Sequence, residues 1–121
     1  MTLLTPDVRA ELSRGGLIDI TTRGRKTGQL RRIELAFHNV GGRILISGRP
    51  GHPRGWVANL RADPRMTLHL KRGLVADVPA RGRVVTDRAE RERLLRPIAR
   101  QWRMDLGVMV RSAPLVEVTF D

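Results

Sequence analysis

The sequence contains no cysteine, which removes disulfides, thiolate metal sites and cysteine nucleophiles together. It contains no tyrosine, and only two tryptophans and two phenylalanines. Few residues are therefore available for the aromatic platforms on which single-stranded nucleic acid stacks. No window approaches the roughly 20 apolar residues of a membrane-spanning helix, and "MTLLTPDVRA" at the start lacks a basic stretch followed by a long apolar core. A cytoplasmic protein is the expectation. Lysine is also scarce. Lys26 and Lys71 are the only two, so 21 of the 23 cationic side chains are arginine, against 12 acidic residues and a net charge of +11.

A field of that sign concentrates anions, whether nucleic acid, an anionic surface or a small ligand bearing phosphates or carboxylates. Apolar residues make up 40% of the chain and charged residues 29%, which is globular composition, and 121 residues suffice for one domain with one core. One domain over residues 1–121 is expected.

The order of elements follows from caps, periodicity and breakers. Thr5-Pro6-Asp7 is a helix start, with a capping hydroxyl, a proline at the first helical position and an acid at the positive end of the dipole; Gly15-Gly16 closes that helix. "LIDITT" (17–22) and "RRIELAFHNV" (31–40) read as strands joined by a glycine-bounded turn, and "RILIS" (43–47) as a third. "GRPGHPRG" (48–55) is too rich in glycine and proline for a regular element, so it reads as a loop leading into a short helix that Asp63-Pro64 ends. "RMTLHLK" and "LVADVPARGRVV" supply two more strands, the second placed at an edge or bulge by Pro79. Asp87 and Glu90 open a helix carrying Leu94, Leu95, Ile98 and Trp102 on one stripe, with Pro97 expected to kink or divide it. "PLVEVTFD" closes the chain as a strand. Six strands linked mostly by hairpins favour an antiparallel barrel, since closure removes exposed edges. The fold class expected is mainly β, within α+β.

Two stretches carry chemistry. "TTRGRKTGQLRR" (21–32) sets backbone amides beside cationic side chains, the parts a phosphate oxygen needs. It is not a nucleotide-triphosphate loop, because the glycine-lysine-threonine spacing is absent and the turn leads into a strand. By itself it also reads as a solvated hairpin tip. "SGRPGHPRGWVANL" (47–60) combines glycines that let a ligand approach the backbone with a histidine, a tryptophan and an asparagine. Trp56 also reads as core and Asn59 as helix surface. His38, His52 and His69 lack metal-ligand spacing, and Ser47 has no nearby His and Asp in a recognisable serine-hydrolase elbow. Asp87, Glu90 and Glu92 read as a solvated helix face. If a chain without acid–base machinery of its own is an enzyme, a cofactor carries the chemistry.

Together, "LIDITTRGRKTGQLRRIEL" and "GHPRGWVANLRADP" resemble the deazaflavin-dependent nitroreductase and quinone reductase family, within the split β-barrel flavin-binding superfamily. The resemblance is close from Leu17 to about Leu70 and extends beyond it only in element order. It implies a six-stranded split barrel with flanking helices, of the FMN-binding type, that binds coenzyme F-420, an 8-hydroxy-5-deazaflavin. It implies that Arg25, Lys26, Thr27 and Gly28 meet the coenzyme's phosphate and glutamyl tail. It further implies that Ser47, Gly48, Arg49, Pro50, Gly51 and His52 line the ring, and that Trp56 and Asn59 help hold it. Hydride would pass from the coenzyme's C5 to a small electrophilic acceptor, with a proton from solvent or by way of Ser47, the candidate catalytic residue; no metal is expected. The family's frequent tyrosine after the tryptophan is Val57 here, so the acceptor does not carry over with the coenzyme. Three further readings stay open: FMN in place of F-420, an arginine-rich barrel for single-stranded nucleic acid, and a cofactor-carrier or storage role. A homodimer is compatible with all of them.

Overall fold

The computed structural model describes residues 4–51 and 54–120. Helix α1 (Pro6–Arg14) begins at Thr5, whose hydroxyl accepts the Val8 amide at 3.2 Å, and stops at Gly15, which takes a left-handed φ of 71°. Strands β1 (Gly16–Arg23), β2 (Leu30–Val40) and β3 (Arg43–Ser47) follow as an antiparallel meander. Helix α2 (Gly55–Ala62) comes next, then β4 (Arg65–Leu70), β5 (Ala76–Val84), α3 (Arg88–Trp102), α4 (Leu106–Ser112) and β6 (Leu115–Thr119).

The strands close into an antiparallel barrel in the order β1-β2-β3-β6-β5-β4, with β4 returning to β1. Ile18 and Ile20 on β1, Phe37 on β2, Ile44 and Ile46 on β3, and Leu68 on β4 fill it. Alternation places every second side chain of a strand on that inner face. The register explains Pro79. It pairs with Thr67 of β4, whereas β5 pairs with β6 only from Arg81 to Val84, so the proline lies where β5 has an open side and needs no amide.

A second apolar cluster lies outside the barrel, where Leu45, Val85 and Leu115 meet Leu94, Leu95, Ile98 and Met109 of α3 and α4. This accounts for the unbroken apolar run of β3, whose Ile44 and Ile46 serve the barrel while Leu45 serves the helices. Of the two outcomes expected at Pro97, a kink or a division, division does not occur: α3 runs through it to Trp102. Pro97 is exposed, as is Arg93 four residues earlier, so the proline lies on the outer side of the helix. Helix α4 is a second departure, for the chain after Trp102 forms a further helix before the closing strand. Asp105 caps it by accepting the Val108 amide at 2.9 Å.

Glu90 is a third departure. It is not on a solvated face but joins Glu117 in an ion-pair network with Arg43 and Arg83 that ties α3 to β3, β5 and β6. His69 is also engaged structurally, between Thr21 Oγ1 at 2.6 Å and Asp77 Oδ1 at 2.7 Å. Among the described residues no helix is long and apolar enough to cross a membrane, and no group of three or more His, Asp or Glu side chains is placed to hold a metal ion.

Candidate active site

The glycine turn between β1 and β2 is held in one shape by its own backbone. Gly24 donates to the Gln29 carbonyl and Gly28 to the Gly24 carbonyl, both at 2.8 Å, and Gly28 has φ 73°, which a side chain would strain. Thr27 Oγ1 accepts the Gln29 amide at 3.2 Å, and Arg23 reaches the Gly28 carbonyl at 3.0 Å. These bonds close the turn on itself, and Arg25 and Lys26 are both exposed on it.

Helix α2 fixes this turn to the barrel. Its face Trp56, Asn59 and Leu60 is buried, at the i, i+3 and i+4 spacing of one helical stripe. Asn59, which could have been surface, is only 7% exposed. Its Oδ1 accepts both the backbone amide and Nη1 of Arg25 at 3.2 Å, while its Nδ2 donates to Thr22 Oγ1 at 3.2 Å. Trp56 plays two parts. It belongs to the barrel core, and with Arg25, Lys26, Thr27, Arg31 and Asn59 it lines a cleft of about 570 Å³.

A second cleft of about 600 Å³ lies on the other side of the start of α2, between that helix, the ends of β5 and α4, and the first turn of α3. Arg54 lines both clefts, and its Nη2 donates to the Arg49 carbonyl at 2.7 Å. Gly48 permits this arrangement, since a Cβ there would stand 3.2 Å from Pro114 Cγ and 3.3 Å from Arg54 Nη2. Gly51 lines the second cleft and donates its amide to Ser112 of α4 at 3.3 Å. Arg54 stands at the N-cap of α2 and offers no acceptor to the first-turn amides, so that positive helix end is available to an anionic group. Both volumes fall within the range of roughly 300–1,000 Å³ usual for small-molecule sites.

The residues singled out in the sequence therefore distribute as follows. Arg25, Lys26 and Thr27 meet Trp56 and Asn59 at the first cleft, Gly28 shapes the turn behind them, and Gly48, the Arg49 carbonyl and Gly51 lead to the second. Pro50 lies within the same loop, partly buried, and His52 falls outside the described residues. Ser47 is 2% exposed, donates its hydroxyl proton to the Pro114 carbonyl at 2.7 Å, and lines neither cleft. Its proton is committed to the junction of β3 and β6.

Three contributors were not singled out in the sequence: Arg54, the C-terminal end of α4, and Arg91. Arg91 donates to the carbonyls of Val85, Met109, Val110 and Ala113, at 2.5–3.1 Å, which secures the end of α4 as a wall of the second cleft. Burial moves its pKa down, but four carbonyl acceptors suit a guanidinium that stays charged. The Asp105 cap was a readable signal for α4 that Gly107 inside the helix obscured.

Comparison with known proteins places this architecture. The fold is that of split β-barrel flavin-binding proteins. It superposes on a candidate pyridoxamine 5'-phosphate oxidase of Listeria innocua with a TM-score of 0.69, at 13% identity, over 93% of this chain and 90% of that one. An FAD-binding protein of Mesorhizobium loti matches with a TM-score of 0.64, at 15% identity, over 100% and 92%. An F420-H2 dependent reductase, FDR-A, matches with a TM-score of 0.62, at 19% identity, over 85% and 93%. The sequence signature of the family described as F420H(2)-dependent quinone reductase matches residues 7–109, and the chain belongs to that family. It is an oxidoreductase, and its cofactor is coenzyme F-420.

The residues present suit that cofactor. An anionic phosphodiester and carboxylate tail calls for cations and free amides, which Arg25, Lys26, Arg54 and the uncapped start of α2 offer in adjoining clefts. The valine-walled second cleft offers space for a flat ring.

Proposed function

We propose that this protein reduces a small electrophilic acceptor of the quinone, enone or nitroaromatic kind, with the glycine turn gripping the coenzyme's anionic tail and the second cleft taking ring and acceptor. When bound, F-420 supplies a hydride, and the acceptor takes up that hydride together with one proton. The protein's part is to orient and to exclude water. The observation that carries this reading is the position of Arg54, which lines both clefts and so makes them two halves of one elongated site.

The chain's own residues take defined tasks in this reading. Arg25 and Lys26 bind the tail, with Asn59 holding the Arg25 backbone in place. Gly48 and Gly51 keep the loop close to α4, so that a ring can lie along backbone and not against bulky side chains. Ser47 is a positioning residue, because its hydroxyl fixes the loop's departure from β3 through Pro114. The acceptor's proton then comes from solvent. A single-stranded nucleic-acid role has little to support it, since Phe37 lies in the core, Trp102 packs edge-on against His38, and Trp56, though it lines the first cleft, is only 8% exposed.

Titration of the purified protein with F-420, FMN and a fluorescent single-stranded oligonucleotide tests the reading, followed by turnover of reduced F-420 with a naphthoquinone. Saturable F-420 binding and quinone-dependent oxidation of the reduced coenzyme are expected. Saturation by FMN alone, or tight oligonucleotide binding with no response to F-420, would overturn it.

A further inference from the structure

The second cleft carries a charge pattern that hydride transfer to a neutral quinone does not use. Arg61 on α2, Arg88 at the start of α3 and Arg111 near the end of α4 come from three separate helices to line the same cleft, and all are exposed. None of them makes an ion pair or hydrogen bond with another described residue, and no acidic side chain is among the described residues that line the cleft. Cations on other faces include paired ones: Arg43 and Arg83 share Glu90 and Glu117, Lys71 takes Asp19 and Glu34, and Arg65 takes Asp63.

Three guanidinium groups without a salt bridge repel one another around a valine-lined hollow, although Asp105 Oδ1 and Arg111 Nη1 both lie beside Gly107, and the apolar wall focuses their field into the opening. An anion relieves that repulsion. Guanidinium forks match the two oxygens of a carboxylate or the tetrahedral oxygens of a phosphate. The coenzyme's tail is already provided for on the far side of Arg54, where Arg25, Lys26 and Arg31 line the first cleft.

We infer that the acceptor reduced by this protein is itself an anion, carrying a carboxylate or phosphate that Arg61, Arg88 and Arg111 hold at the mouth of the second cleft. This rests on reading that cleft as the chamber for ring and acceptor. Such a charge selects acceptors by an arm remote from the reacting atoms, which lowers KM for anions and discriminates against neutral molecules with the same electrophilic ring.

A naphthoquinone bearing a carboxymethyl arm and its methyl ester form the test pair. Equilibrium dialysis against protein loaded with oxidised F-420 reads binding without turnover, and steady-state rates with reduced F-420 read kcat/KM. The acid is expected to bind on the order of tenfold more tightly than the ester and to have the higher kcat/KM, with the preference shrinking as salt rises. Arg61→Gln, Arg88→Gln and Arg111→Gln should each reduce the acid-to-ester ratio, whereas Arg93→Gln, which removes the same charge outside the cleft, should not. Equal binding of acid and ester overturns the inference. So does a set of cleft variants that weaken F-420 binding while keeping the acid-to-ester ratio, since the arginines would then serve the coenzyme's tail. Dialysis of the unloaded protein separates the two readings: failure to take F-420 with the acid preference intact sinks the reductase reading alone, and F-420 binding without acid preference sinks the anion site alone.

Discussion

The Oδ1 atom of Asn59 accepts two hydrogen bonds from Arg25, one from its backbone amide and one from Nη1, each at 3.2 Å. One buried helix residue thus sets both the position of the turn and the direction of its first guanidinium. The third bond, from Nδ2 to Thr22 Oγ1, anchors the same amide to the strand that enters the turn.

Asn59→Ala removes all three bonds and leaves Thr22, 2% exposed, without this partner. A stability loss of about 1–3 kcal/mol is expected in urea unfolding, from the stranded polar groups. F-420 affinity should fall as well, although Asn59 need not touch the ligand. Unchanged affinity in a folded Asn59→Ala protein would show that the turn holds its shape without α2.

Lys26→Ala acts on the ligand and not on the fold, because its side chain is exposed on a turn whose backbone closes on itself, whereas Arg25→Ala removes a ligand contact together with the Nη1 bond to Asn59. Each should weaken F-420 binding by about 1.5–3 kcal/mol for a charged hydrogen bond lost. The loss should be greatest at low salt, since exposed charges are screened beyond a Debye length of about 8–10 Å. Affinities indifferent to both substitutions and to salt would leave the turn as a hairpin only.

Much of this arrangement was legible in the sequence, for identifiable reasons. The caps at Thr5 and Asp87, the period-2 runs of β1, β2 and β4, and the stop at Asp63-Pro64 are local signals, and each element formed where its signal lay. Asn59 and Glu90 were harder. Whether a polar helix residue faces water or a neighbouring strand depends on how the helix docks, which spacing along one chain does not contain. The clefts were hidden for the same reason: the second is walled by residues from 51 to 115, and its α4 wall stands where Arg91 gathers the carbonyls of Met109, Val110 and Ala113.

The network of Glu90 and Glu117 makes a prediction about acid. Arg83 and then Arg43 hold the Glu90 carboxyl down to about 2, and Arg43 and then Arg83 lower that of Glu117. A carboxyl with a depressed folded pKa adds stability that is complete above its unfolded value and is lost as pH falls through the folded one. Thermal unfolding should therefore show a steepening loss between pH 4.5 and about pH 2. Glu117→Gln should destabilise the protein by about 1–3 kcal/mol at neutral pH and flatten that acid limb. An acid limb of unchanged slope in the variant would assign it to general charge repulsion.

His38 gives the opposite kind of test, because the native residue is the costly one. Its Nε2 is buried without a hydrogen-bond partner among the described residues, its ring meets Trp102 edge-on at 5.0 Å between centroids, and burial lowers its pKa, with Gln101 opposing. The unfolded chain therefore binds a proton at a higher pH than the folded one, and stability attributable to this group falls as pH drops below 6.5. His38→Phe keeps a flat ring against Trp102 and removes the stranded nitrogen. Its stability should rise by about 1 kcal/mol at neutral pH, since an unsatisfied buried polar atom costs about 1–3 kcal/mol. The gain should widen between pH 7 and pH 5, where the wild-type imidazole would have to be neutral to stay buried. Chemical unfolding of the two proteins at both pH values checks the sign. A loss of stability in the variant that is the same at each pH would mean that the Nε2 atom finds a partner in solution and that the ring's shape, not its titration, is what the site requires.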